Sequence, residues 1–141
     1  IISATAGKFF SIEGKNILKQ SISLLLIIEI ISIFLFLIFG KNLINLLFSK
    51  EFQTAYLPSI IILISTAIYN PSSIIAVYIN LKIGKTYIPF IISIISLIIK
   101  SILAFFLIKE FSIIGASISS LVAYTLTFSI YVFVYFKFIK N

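Results

Sequence analysis

The chain has 141 residues, 61% of them hydrophobic and 11% charged, with a net charge of +7 and a mean hydropathy of +1.25. Soluble domains are about a quarter charged, so this composition excludes a globular protein with a polar surface and makes lipid the solvent for much of the chain. There is no Cys and no His, which excludes disulfides, thiol catalysis, Cys-based metal sites and the commonest acid–base group.

The chain opens on Ile1, contains no Met and has no basic signal-peptide region. It is read as part of a longer membrane protein. Residues 1–6 are apolar and read as the tail of a preceding span. Residues 7–20 carry Lys8, Glu13, Lys15 and Lys19, with Gly7 and Gly14 as breakers, and predict a cytoplasmic loop or a short interfacial helix. A C-terminal transmembrane bundle is expected over 21–141.

Its first span runs about 21–39, close to the ~20 residues a bilayer core needs. Gly40-Lys41-Asn42 closes it, and the short apolar run 43–48 is expected at the interface. A second span covers about 56–81. Pro58 sits in its first turn, where the missing N–H matters little. Pro71 sits in its interior and predicts a kink, because it removes a bond to the carbonyl of Ala67. Lys82-Ile83-Gly84-Lys85 is a tight loop. The third span runs about 87–108 with Pro89 in its first turn, Lys109 to Ser112 form a loop, and the fourth runs about 113–136.

Four spans sort the lysines by side. Lys8, Lys15, Lys19, Lys82, Lys85, Lys137 and Lys140 share one side, and Lys41, Lys50 and Lys109 the other. Basic residues between apolar runs orient a chain against a membrane, so the charge is not read as a nucleic-acid surface. The positive-inside rule puts both ends of the chain in the cytoplasm. Tyr131, Phe133, Tyr135, Phe136 and Phe138 fall where a cytoplasmic aromatic belt is expected.

Two charges lie inside spans, Glu29 in the first and Lys100 in the third. On insertion scales each costs roughly 2.5–3.5 kcal/mol at a helix centre. At 100° per residue, Ser93, Ser96, Lys100 and Ala104 share one arc. Ser21, Glu29 and Ser32 share a face of the first span, and Ser59, Thr66, Asn70 and Ser73 one of the second. The candidate substrate cavity is therefore assigned to Lys100, Glu29, Ser93, Ser96, Thr66 and Asn70, with Lys100 as the cation for an anionic head group. The alternative is a structural Glu29–Lys100 ion pair, with hydroxyls bonding back to their own helices. In the fourth span, Gly115, Ala116, Ser119, Ser120, Ala123 and Thr127 form a small-residue face for helix packing. The four acidic residues make no paired carboxylates in a loop and no acidic metal motif, so no enzyme, cofactor or metal is expected.

The order of short motifs carries a resemblance. Phe39-Gly40 ends a span, Leu46-Leu47-Phe48-Ser49-Lys50-Glu51-Phe52 follows, Gly84-Lys85 separates two spans, and Ile113-Ile114-Gly115-Ala116-Ser117 opens the last. This resembles the C-terminal part of the polysaccharide exporters, or O-antigen flippases, of the multidrug/oligosaccharidyl-lipid/polysaccharide transporter superfamily. Ser49 and Ser112 depart from the family pattern, which often has Gly at both places. The resemblance implies an all-α polytopic bundle in the plasma (inner) membrane. Its four helices would form part of a larger two-bundle alternating-access transporter, completed by an N-terminal bundle. A polyprenyl-diphosphate-linked saccharide is the implied substrate and membrane lipid the implied surrounding. The alternatives are a cation-coupled multidrug exporter of the same superfamily, which should expose carboxylates in its cavity, a membrane-embedded glycosyltransferase or polymerase, and a non-transporting assembly subunit.

Overall fold

The computed structural model describes residues 14–48 and 50–137. The expected tail of a preceding span at 1–6, the loop to residue 13, Phe138 and Lys140 lie outside the described residues. Among those described, every long element is helical. They are α1 (Gly14–Leu47), a short 3-10 helix (Lys50–Ala55), α2 (Tyr56–Ile83) and α3 (Tyr87–Tyr135). All three α-helices are long and apolar enough to cross a membrane. Ile-rich segments have only modest helix propensity in water. In hydrocarbon every backbone group must be satisfied internally, and a helix does that within one segment.

α1 is longer than the expected 21–39 span. Residues 14–20 are helical, and the helix passes through Gly40 without a break to Leu47. The expected separation of 43–48 is thus corrected. One glycine weakens a helix by about 1 kcal/mol but ends it only in a left-handed conformation, and Gly40 has none. Gly40 instead makes room. A Cβ there would stand 2.9 Å from the Phe36 ring, which stacks on Tyr56 of α2 with centroids 5.8 Å apart. The Tyr56 hydroxyl donates to the Leu37 carbonyl at 3.0 Å, tying α1 to the start of α2.

α2 matches the expected second span closely. Its interior proline is buried and the helix continues through it. Hydroxyls gather beside that proline. Ser73 donates to the Asn70 carbonyl at 2.7 Å and Ser72 to that of Tyr69. The helix ends at Gly84, left-handed at φ 69°, whose N–H donates to the Asn80 carbonyl at 3.1 Å. Only glycine takes that conformation without steric penalty.

α3 contains a reversal. Ser112 is non-helical, at φ 51° and ψ −129°. The Tyr131 hydroxyl lies 3.4 Å from the Pro89 carbonyl, and those of Thr127 and Ser96 are 2.6 Å apart. A straight helix would separate residues 89 and 131 by roughly 63 Å at ~1.5 Å per residue. The arms 87–111 and 113–135 therefore fold back on each other, antiparallel. The expected loop at Lys109 to Ser112 shrinks to the single residue Ser112, because the helix holds to Phe111. Gly115 permits this. A Cβ there would stand 2.0 Å from the Leu107 carbonyl oxygen.

α2 is the middle of the structure, with α1 on one side and the α3 arms on the other. One buried cluster joins Leu18, Ile74 and Tyr78. A second joins Ile75, Ile79, Ile92 and Tyr131. Much of the remaining buried surface is small and hydroxylated, as at Ser65, Ser72, Ser117 and Ser119, while Ile30, Phe34, Leu97 and Phe105 lie open. That inversion of the soluble pattern suits helices whose outer solvent is hydrocarbon and whose contacts come from close approach of small residues.

Candidate functional site

Lys100 stands near the middle of the first α3 arm, half-buried. It opens onto a cavity of about 220 Å³ lined by Tyr69 of α2, by Ser93, Ser96, Leu97 and Lys100 of the first arm, and by Tyr124 and Thr127 of the second. The helical stripe of Ser93, Ser96 and Lys100 forms one wall. The reversal at Ser112 sets the register that brings Tyr124 and Thr127 opposite it.

The ammonium is held softly. Lys100 Nζ lies 5.1 Å from the centroid of the Tyr124 ring and 3.5 Å from its hydroxyl. A cation over an aromatic face gains about 0.5–2 kcal/mol, more when desolvated. Tyr69 packs against Tyr124 with centroids 4.7 Å apart and planes at 33°, which fixes the ring beneath the charge. Among the described residues no carboxylate lines this cavity. Ser93 donates to the Pro89 carbonyl at 2.9 Å. The Thr127 hydroxyl lies 2.6 Å from that of Ser96 and 2.7 Å from the Ala123 carbonyl. It has one proton for these two contacts, so one of them is completed by the Ser96 hydroxyl. The cavity thus offers one full positive charge, hydroxyl oxygens and two aromatic faces. That chemistry receives an anionic group attached to something polar.

Glu29 lies elsewhere. It is half-buried on α1 and accepts a hydrogen bond from the Asn70 side-chain amide across the α1–α2 contact. Among the described residues Glu29 and Lys100 do not pair with each other. Thr66 donates to the Leu63 carbonyl of its own helix at 2.9 Å and does not line the cavity. Of the six expected cavity residues, the structure brings Lys100, Ser93 and Ser96 together, and places Glu29 with Asn70 on another contact. Of the small-residue face, Gly115, Ser119, Ser120, Ala123 and Thr127 are buried and Ala116 half-buried.

Tyr69 and Tyr124 are the site residues that pattern reading missed. A signal was present. Both tyrosines lie well inside apolar runs, away from the interfacial belts where tyrosine is enriched, and a buried phenol needs a polar partner. Thr127 was assigned to packing alone, yet it lines the cavity as well. In comparisons with protein families, curated proteins and solved structures, the chain finds no match.

Proposed function

We propose that this chain is the C-terminal part of a membrane transporter for a lipid-linked oligosaccharide, in which Lys100 meets the anionic group that joins saccharide to lipid. The observation that carries this reading is a half-buried ammonium in a hydroxyl- and tyrosine-lined cavity, with no carboxylate among the described residues beside it. Intramembrane ionisable groups are expensive and mark substrate pathways by default. An unneutralised lysine is suited to a phosphate. Hydroxyls and aromatic faces are suited to a sugar.

The proposal extends to topology. α1, α2 and the two arms of α3 each exceed the ~20 residues a crossing needs, so four crossings are proposed, with both chain ends cytoplasmic. A further bundle would complete the alternating-access pair. The multidrug alternative calls for a carboxylate in the cavity, and Glu29 is engaged with Asn70 instead. A passive assembly subunit calls for a Glu29–Lys100 pair, which does not form among the described residues.

Export in cells is the direct test. Lys100→Ala should abolish delivery of the saccharide to the far side of the membrane with membrane abundance unchanged, and Lys100→Arg should keep part of it. Loss of abundance in step with export would assign Lys100 a structural role and overturn the reading. So would full export by the Ala variant.

A further inference from the structure

Side-chain hydrogen bonds tie the helices in two pairs. Between α1 and α2, the Tyr56 hydroxyl donates to the Leu37 carbonyl and the Asn70 amide donates to Glu29. Within the α3 hairpin, Tyr131 meets the Pro89 carbonyl, Thr127 meets Ser96, and the Lys100 ammonium reaches the Tyr124 hydroxyl. A bond of this kind contributes about 1 kcal/mol, and more where a charge takes part.

The contact between the two pairs is built differently. At 100° per residue, Ser65 and Ser72 fall on α2 between Tyr69 and Ile79. Tyr69 packs on Tyr124, and Ile79 joins Ile92 and Tyr131, so that face of α2 meets α3. Ser117 and Ser120 fall on the second arm to either side of Tyr124. All four serines are buried. Each bonds back to a carbonyl of its own helix, Ser65 to Ile61, Ser72 to Tyr69, Ser117 to Ile113 and Ser120 to Ala116. A hydroxyl satisfied in this way loses no bond when the facing helix moves, and small side chains leave little to interlock.

The same contact is graded along its length. Near the connection at 84–86, Ile75 and Ile79 clamp Ile92 and Tyr131, and the Tyr78 and Tyr135 rings pack with centroids 6.3 Å apart. Gly84, left-handed at φ 69°, opens that connection. Farther from it the contact passes through Ser72, the Tyr69–Tyr124 pair and Ser65. Because α2 and the second arm run the same way, the start of α2 lies level with the reversal at Ser112. One end is an apolar clamp, and the rest is a smooth face.

We infer that the α3 hairpin tilts as one body against the α1–α2 pair about the connection at Gly84, and that this tilt opens and closes the Lys100 cavity between Tyr69 and Tyr124. Hinges of this kind need only a few residues at the end of an element. Among the described residues that line the cavity, Tyr69 comes from α2 and the others from the hairpin. The contact therefore runs through the cavity wall. Parting the two rings, now 4.7 Å apart, by one further atomic layer takes about 3.5–4 Å. Tyr69 stands 15 residues from Gly84, a lever of roughly 22 Å, so a tilt of about 10° is enough. The wall moves whatever the cavity admits, so the inference does not rest on the transport reading.

The chain has no Cys, so paired cysteines can carry spin labels without background. The whole chain in nanodiscs is used. Leu57→Cys with Ile113→Cys reads the separation across the contact at its open end, where both side chains are exposed. Leu57 lies 27 residues from Gly84, a lever of roughly 40 Å, so two distance populations about 7 Å apart are expected. Ile64→Cys with Val122→Cys, nearer the pivot, should show two populations roughly 5 Å apart. Leu43→Cys with Leu57→Cys, inside the α1–α2 pair, should show one population. So should Leu97→Cys with Leu126→Cys, inside the hairpin. Should one cross-contact variant fold poorly, the other still decides between one population and two. A single population across the contact overturns the inference. Equal splitting at the two levels would mean sliding without tilt and overturns it too, as does a split inside either pair of helices.

Discussion

The α3 hairpin and the α1–α2 pair each carry one charge inside an apolar segment, and they handle it in opposite ways. In the hairpin, Lys100 rests on the face of Tyr124 and opens onto a cavity. Between α1 and α2, Glu29 is met by the Asn70 amide at a helix contact. The close approaches differ as well. At Gly115 a Cβ would collide with backbone, 2.0 Å from the Leu107 oxygen. At Gly40 it would meet the Phe36 ring at 2.9 Å. The first contact cannot give way without moving a helix, whereas the second can be relieved by a side-chain rotation. The hairpin is therefore the region with less room to give, and it opens its half-buried charge onto a cavity, while the α1–α2 pair is the softer region and meets its half-buried charge with an amide.

Breaking the rigid region should have the largest effect. Gly115→Ala forces the arms apart, and overpacking of this kind costs about 3 kcal/mol or more where backbone cannot yield. Gly40→Ala is the comparator and should cost about 1 kcal/mol or less, since a ring can shift and alanine is the better helix former. Thermal unfolding of both variants in the same detergent checks the order. Equal losses would mean that the two contacts are equally compliant and that the hairpin is no more rigid than the α1–α2 pair.

A smaller change of opposite sign should come from Ser112→Gly. Ser112 sits at φ 51° and ψ −129°, a region that glycine enters freely and a side chain enters at a cost of about 1–3 kcal/mol. Part of the gain is returned as extra freedom in the unfolded chain, so a net stabilisation of about 1 kcal/mol is expected. An unchanged or lower unfolding temperature would argue that the backbone at the reversal is relaxed with serine in place.

The helices are largely legible in the sequence, because long Ile, Leu and Phe runs bounded by Lys and Gly leave few alternatives. Gly84 was legible as a stop for the same reason. Gly40 was misread because composition cannot say whether a glycine turns the chain or admits a neighbouring ring. Only the Phe36–Tyr56 stack decides that. The candidate cavity was half legible. Ser93, Ser96 and Lys100 share a stripe on one helix, and helical periodicity finds stripes. Tyr69, Tyr124 and Thr127 join them from two other segments, through a register set at Ser112 that no local pattern encodes. The link between Glu29 and Lys100 rested only on two opposite charges lying inside spans, and that does not say which way a side chain faces across α2.

The smallest expected effect tests that last point most sharply. If α2 keeps the two charges apart, their contributions to stability should be independent. A double-mutant cycle of Glu29→Gln and Lys100→Gln isolates the pairwise energy, and distant sites without shared partners add to within about 0.3–0.5 kcal/mol. A cycle energy inside that window is the expected outcome. Each single change should still be felt. Glu29→Gln keeps an oxygen for the Asn70 amide but loses the charge-assisted bond, which is worth about 1.5–3 kcal/mol against roughly 1 for a neutral one. Lys100→Gln removes the cation over the Tyr124 ring. A coupling above about 1 kcal/mol would instead place the two side chains in one network. Lys100 would then be a structural counter-charge to Glu29, with no positive charge left over to meet an external anion.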